Sequence, residues 1–151
     1  MDSFEYFEDL EVEQRFETDG RTITESDVRT YVQVCGLYDR LFVDKEYIAE
    51  ETPFDDWFVP GEMTAGMVLG NAIRTGVFGS AMAMLGFEIE FPNPLHVGDT
   101  LYVEFEVLDK REANDPDHGI VTYGYTGRNQ DGEVVAELEE TVLARRRSTD
   151  E

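Results

Sequence analysis

Two hydrophobic rhythms divide the chain. Between residues 24 and 36, Val28, Tyr31, Val32 and Cys35 recur three and four apart, the spacing of one helix face. Thr24 stands just ahead of them with Asp27 three residues on, a capping-box pattern, and Gly36 supplies the stop. A second short helix is expected over 44–50, with Asp44 as its cap and Pro53 just past its end. Residues 60–73 show no polar face, and a helix apolar all round belongs at the centre of a fold. That helix is expected over about 62–76.

From Phe87 onward the rhythm changes to two. Phe87, Ile89 and Phe91 alternate with Glu88 and Glu90, and Leu101, Val103, Phe105 and Val107 alternate with Tyr102, Glu104 and Glu106. Further strands are expected over 120–126 and 134–143, joined through Asn129-Gln130-Asp131-Gly132, and an extended segment over 12–23. Alternation of this kind marks an antiparallel sheet with one wet face, which the acids Glu88, Glu90, Glu104 and Glu106 should coat. Strands that need a core and a helix that needs covering predict an α+β fold, the sheet wrapped around a long central helix. No linker or repeat divides residues 1–151, so one domain is expected, its core about 7–147 and its ends loose over 1–5 and 146–151.

Charge narrows the partners. The 151 residues hold 34 Asp and Glu against 12 Lys and Arg, a formal net charge of −22. Nucleic acid is thereby an unsuitable partner, since phosphate binding needs cationic stripes and the one basic run is Arg145–Arg147. Lys occurs only at positions 45 and 110. This balance would repel itself in dilute buffer, whereas molar salt shortens the screening length to about 3 Å, so a halophilic cytoplasm is the expected setting. Cys35 is the only cysteine, which fits a reducing compartment. Residues 63–87 carry Arg74 as their one charge, but their five glycines and acidic flanks, Glu62 and Glu88, make a poor membrane span. A buried helix followed by a strand is expected there instead. The start of the chain lacks the positive and apolar regions of a signal peptide, so a cytoplasmic protein is expected.

Several segments, in order and spacing, resemble the MaoC-like family of (R)-specific enoyl-CoA hydratases and dehydratases, which have the hot-dog fold. They are Arg21-Thr22-Ile23-Thr24-Glu25-Ser26-Asp27-Val28, the run 44–54, Pro60-Gly61-Glu62-Met63, Val97-Gly98-Asp99-Thr100-Leu101, His118-Gly119-Ile120-Val121-Thr122 and 129–135. The resemblance implies an acyl-CoA thioester as ligand, coenzyme A arriving as part of the substrate, with no separate cofactor; Cys35, His96 and His118 show no metal-ligand spacing, so no metal is expected. It also implies a dimer, with a second copy or with another MaoC-like chain. The family's catalytic signature, Ser-Gly-Asp-x-Asn-Pro-Leu/Ile-His-x-Asp, falls on Cys35–Asp44. Its glycine and last aspartate match, but its catalytic Asp and His fall on Leu37 and Phe42, which cannot exchange protons.

Asp39 and Glu62 are the nearest carboxylates left as catalytic candidates. Glu62 opens the central helix, where the family binds the thioester carbonyl through a backbone N–H and the helix dipole adds positive potential. Gly61, Glu62 and Met63 are thus candidates for acyl-CoA binding, with Trp57 and Phe58 in the preceding loop as pocket walls. Asn93-Pro94-Leu95-His96 copies the end of the signature without the Gly-Asp before it, and His96 is expected to be a loop histidine. Arg145–Arg147 could meet the phosphates of coenzyme A or simply end the last strand. Three functions stay open: a hydratase with displaced residues, the non-catalytic subunit of a two-component hydratase, and a thioesterase using Glu62.

Overall fold

Thr24 Oγ1 accepts the Asp27 amide at 3.1 Å while the Asp27 carboxylate accepts the Thr24 amide at 2.9 Å. This reciprocal cap starts helix α1, Glu25–Cys35, in a computed structural model that describes residues 3–148. Gly36 ends it in the left-handed conformation, φ +69°, a backbone state that glycine adopts without strain. Asp39 then caps a single turn, α2, Arg40–Val43, which the sequence pattern does not predict. Asp44 accepts the Tyr47 amide at 3.0 Å and opens α3, Lys45–Glu51.

Helix α4, Gly61–Ile73, is the central helix, and residues 74–76 form tight turns beyond it rather than continuing it. Around it lie β1, Arg15–Glu17; β2, Arg21–Thr22; β3, Ala81–Glu90; β4, Thr100–Glu112; β5, His118–Arg128; and β6, Val134–Arg145. They form one antiparallel sheet in the order β1-β4-β5-β6-β3, with β2 also paired to β4. Gly132, at φ +79°, closes the β5–β6 hairpin, and the Asn129 side chain accepts the amides of Asp131 and Glu133.

The sheet can grip α4 because β5 has a gap in its inner face. A Cβ on Gly127 would stand 3.0 Å from Val68 and 3.3 Å from Leu101, so a side chain there would crowd both. Asn71, buried on α4, donates to the Leu101 carbonyl of β4 at 3.1 Å. Val68, Leu101, Val103, Val107, Val121 and Val135 are fully buried around this contact. Side chains of this type each stabilise the fold by about 1.5–3 kcal/mol when buried.

Three expectations change. Strand β3 starts at Ala81 rather than Phe87, because irregularities between 81 and 83 and between 84 and 86 break the alternation by which strands are read. The run 63–87, charged only at Arg74, is buried along α4 and at Val77 and Ser80, but most of its strand portion is not. Met82, Met84, Leu85 and Phe87 stay 46–59% exposed, because β3 is the open edge of the sheet. The ends, expected to be loose, are tied together where they are described. Arg145 donates to the Glu5 carbonyl at 2.9 Å, Arg146 pairs with Glu8 and Glu112, and Arg147 pairs with Asp9 at 2.7 Å. Residues 1–2 and 149–151 of the expected loose ends lie outside the described residues. No helix among the described residues is long and apolar enough to cross a membrane.

The outer face of the sheet carries the acids in register. Glu17 lies opposite Glu104, Glu90 opposite Glu137, and Glu88 opposite Glu139. Like charges set directly across strands destabilise a sheet, and here Arg15, bonded to Glu106 at 3.1 Å, is the one cation among the residues of the groove they line. Screening these three pairs should relieve about 2 kcal/mol, so the melting temperature should rise by about 4–8 °C between dilute buffer and molar KCl. An unchanged melting temperature, followed by circular dichroism, would contradict the repulsion. Thr24→Ala should cost about 1 kcal/mol by removing the α1 cap, read in a denaturant titration.

Candidate functional site

The helices α1 to α3 form an overhang beside the loop that leads into α4, and both substituted positions lie in it. Leu37 and Phe42 are half-buried and rest on the hydrophobic core. The Phe42 ring lies 6.1 Å from Phe58, which in turn lies 4.3 Å from Phe54. Trp57 Nε1 donates to the Phe42 carbonyl at 3.1 Å, locking the loop before α4 to α2. Val28, Val32, Tyr38, Phe42, Val43 and Trp57 line a small, mostly apolar pocket of about 210 Å³. The sequence-predicted residues Phe42, Trp57 and Phe58 are thus brought together, and what they form is hydrocarbon and aromatic surface.

The carboxylate candidates behave differently from one another. Asp39 is exposed, and its carboxylate accepts the Leu41 amide at 3.0 Å, so it serves as the cap of α2. Glu62 is exposed in the first turn of α4, where Pro60 at the N-cap offers no side chain to the free amides. Met63 is buried, and Gly61 lies under the Phe91 ring, which would stand 3.1 Å from a Cβ there. Tyr31 of α1 faces this end of α4. Burial first, then the Cys35 thiol, then the charge of Glu62, push its phenol up to about 12, so it stays protonated at neutral pH. Cys35 is exposed, although its spacing placed it on the buried face, because it occupies the last turn of α1.

The other candidates are occupied elsewhere. The His96 amide donates to Asp99 at 2.8 Å, and residue 96 bridges to Phe58 beside the Val59–Leu95 and Val97–Trp57 hydrogen bonds. It is a loop histidine, as expected. Arg145–Arg147 clamp the N-terminal segment, and Arg147 and Arg145 also lie over the Tyr6 ring at 4.5 and 5.3 Å.

One chemically unusual residue escaped the sequence reading. Glu140 of β6 is 6% exposed and lies on the inner face, between Leu138 and Val142. It accepts a 2.7 Å hydrogen bond from the Tyr125 hydroxyl, and Tyr123 sits opposite it in register with its own hydroxyl buried and unpartnered. Burial raises the carboxyl's affinity for its proton, against the pull of Tyr125. Burial also pushes both phenols up, with the Glu140 charge adding to the effect. A signal was available: Glu139 and Glu140 are adjacent in an alternating strand, so one of them must point inward.

Comparison with known proteins follows the same lines as the fold. The MaoC like domain family model matches residues 8–129. A structure described as a monoamine oxidase regulatory protein from Archaeoglobus fulgidus superposes with a TM-score of 0.87 at 28% identity, over 95% of each chain. R-hydratase PhaJ1 from Pseudomonas aeruginosa gives 0.77 at 29% identity, over 95% of this chain and 87% of that one. Rv0216 of Mycobacterium tuberculosis, described as a double hot-dog fold, gives 0.84 at 22% identity, over 95% of this chain and 45% of that one. That last likeness speaks for fold alone. No curated protein sequence matches the chain.

Glu140 has a pH consequence of definite sign. A carboxyl whose folded-state pKa is raised stabilises the fold while protonated, and that contribution is lost as pH climbs from the ordinary carboxylate range through the folded value. Glu140→Gln should match the parent near about pH 4 and melt increasingly above it toward about pH 8. Parallel thermal melts in molar KCl check this, and coincident curves at the higher pH would contradict it.

Proposed function

The chain belongs to the MaoC-like domain family, and on that footing we propose that it binds an acyl-CoA thioester without hydrating it alone, as the non-catalytic subunit of a two-component hydratase. The observation that carries this reading is the hydrocarbon at the two family proton-transfer positions: Leu37 and Phe42 rest on the core and on other aromatic rings. Hydration needs a base to take a proton from water and an acid to give one to the α-carbon. Such groups each contribute about 10²–10⁴-fold, and neither side chain can act as one.

Binding survives that loss. The amides at the start of α4, from Gly61 to Met63, would receive the thioester carbonyl, where the helix dipole favours developing negative charge. Trp57 and Phe58 would wall the entrance. Coenzyme A would come and go with the acyl group. The open β3 edge, with Met82, Met84, Leu85 and Phe87 uncovered, supports assembly with a second hot-dog chain, since a long apolar edge is a liability when left bare. The acid-rich composition supports work in a salty cytoplasm.

A second reading, hydrolysis of the thioester by Glu62 as base or nucleophile, draws on the exposed Glu62 carboxylate and the neighbouring Tyr31 phenol. In molar KCl the chain alone should bind crotonyl-CoA yet hydrate it at least about 10²-fold more slowly than when mixed with a chain carrying the intact Gly-Asp-x-Asn-Pro-x-His signature. Leu37→Asp combined with Phe42→His should raise the rate of the isolated chain. Full hydration by the unmodified chain alone would overturn the proposal. Release of free CoA thiol, abolished by Glu62→Gln, would replace it with the second reading.

A further inference from the structure

The pocket between α1, α2 and Trp57 has walls unlike the rest of this acidic surface. The groove on the outer face of the sheet takes glutamates from β1, β3, β4 and β6, and the hollow beside Arg146 and Arg147 holds Glu8, Glu112 and Asp115. None of the residues described as lining the α1–α2 pocket is acidic, and Arg29 is a cation. In a chain of 34 acids and 12 bases this is a local reversal of charge, and it favours an anion.

Helix α1 sets the depth of the pocket. At 100° per residue Val28 and Val32 lie together, Arg29 and Gln33 follow on the next strip, and Tyr31 and Cys35 fall on the other side of Val28. The pocket therefore belongs to a different flank of α1 from the one that Tyr31 turns toward the start of α4. Val28 and Val32 form its floor, whereas Tyr38 and Val43, 69% and 51% exposed, form its lip. Its walls are pinned within the fold. Trp57 Nε1 is bonded to the Phe42 carbonyl at 3.1 Å, the Tyr38 hydroxyl donates to the Gln33 carbonyl at 3.4 Å, and the Arg29 guanidinium lies over the Trp57 ring at 5.6 Å. Arg29 Nη2 pairs with Glu25 at 2.6 Å, and the described hydrogen bonds and ion pairs give its other nitrogens no acceptor.

Size and wall chemistry narrow the ligand. A volume of about 210 Å³ is small for a long acyl chain or a nucleotide, since sites for larger ligands run to about 300–1,000 Å³, yet an apolar cavity of about 150 Å³ holds benzene. Tyr38, Phe42 and Trp57 present aromatic rings, which favour another ring over an alkyl group of equal size. The geometry points to a binding site for a compact aromatic carboxylate, one ring with a short acidic arm. The ring would lie against Val28, Val32, Phe42 and Trp57, and Arg29 at the rim would hold the carboxylate. The site goes beyond the thioester reading and does not depend on it.

Trp57 is the only tryptophan, so its indole N–H gives one resonance in a nitrogen-15 NMR spectrum, and that resonance reports on the pocket wall. In molar KCl phenylacetate should shift it with a Kd of about 1 mM. Binding should be about tenfold tighter than that of 2-phenylethylamine, the same ring with the opposite charge, and about fivefold tighter than that of hexanoate. Arg29→Gln, at an exposed position, should remove the preference for acid over amine. Val43→Phe, which sets a ring in the lip, should weaken phenylacetate at least about tenfold. No shift up to about 50 mM phenylacetate would overturn the assignment. So would equal binding of the amine or of hexanoate by the unmodified chain, or a preference for the acid that survives Arg29→Gln. A titration unchanged by Val43→Phe would put the ligand elsewhere and overturn it as well.

Discussion

A helix whose inward surface carries no charge can hold its place in water only if something covers it, and nearly everything else in this molecule answers that need. Helix α4 is sheathed by β4, β5 and β6. The sheath closes because Gly127 lets Val68 approach the strand and Asn71 ties the helix to the Leu101 carbonyl. The residues buried in the core are chiefly Val and Ala, with Met63 and Met67 of the helix and Phe105, Tyr123 and Tyr125 of the sheet among them. The helix start, where family members bind their ligand, is held in place by this packing and by the Trp57–Phe42 hydrogen bond, not by polar groups of its own.

The same arrangement sorts the acids. On the outer face, glutamates oppose glutamates in three cross-strand pairs, an array that dissolved salt screens. On the inner face one glutamate, Glu140, remains with two tyrosines for company. The outer charges face the solvent, which can screen them, whereas the inner carboxyl has to be answered within the fold. The missing proton-transfer pair and the buried carboxyl are thus separate departures, one in the overhang and one on the sheet.

Local chemistry was the legible part. Thr24 with Asp27, Gly36 and Asp44 all mark helix boundaries through hydrogen bonds within a few residues, and the structure makes each of those bonds. The turn at 129–132 belongs to the same group. The candidate site was legible where it depends on residue type: Leu37 and Phe42 cannot transfer protons wherever they lie. It was illegible where it depends on company, as with the phenol of Tyr31 near Glu62, or Asp39 spent on capping α2.

Periodicity and capping, which act between neighbours in the chain, therefore determined from the sequence alone that a central helix is wrapped by an antiparallel sheet, and where most elements begin. Tertiary structure decided the rest. It left β3 as the bare edge, because strand order depends on pairings between residues far apart in the chain. It turned Cys35 outward at the helix end, tied Arg145–Arg147 to the N-terminal segment, and set Glu140 between Phe87 and Tyr123 on the neighbouring strands. The bare edge, the arginine clamp and the tyrosines around Glu140 are long-range contacts, set by how the sheet closes on the helix, and no local pattern encodes those partners.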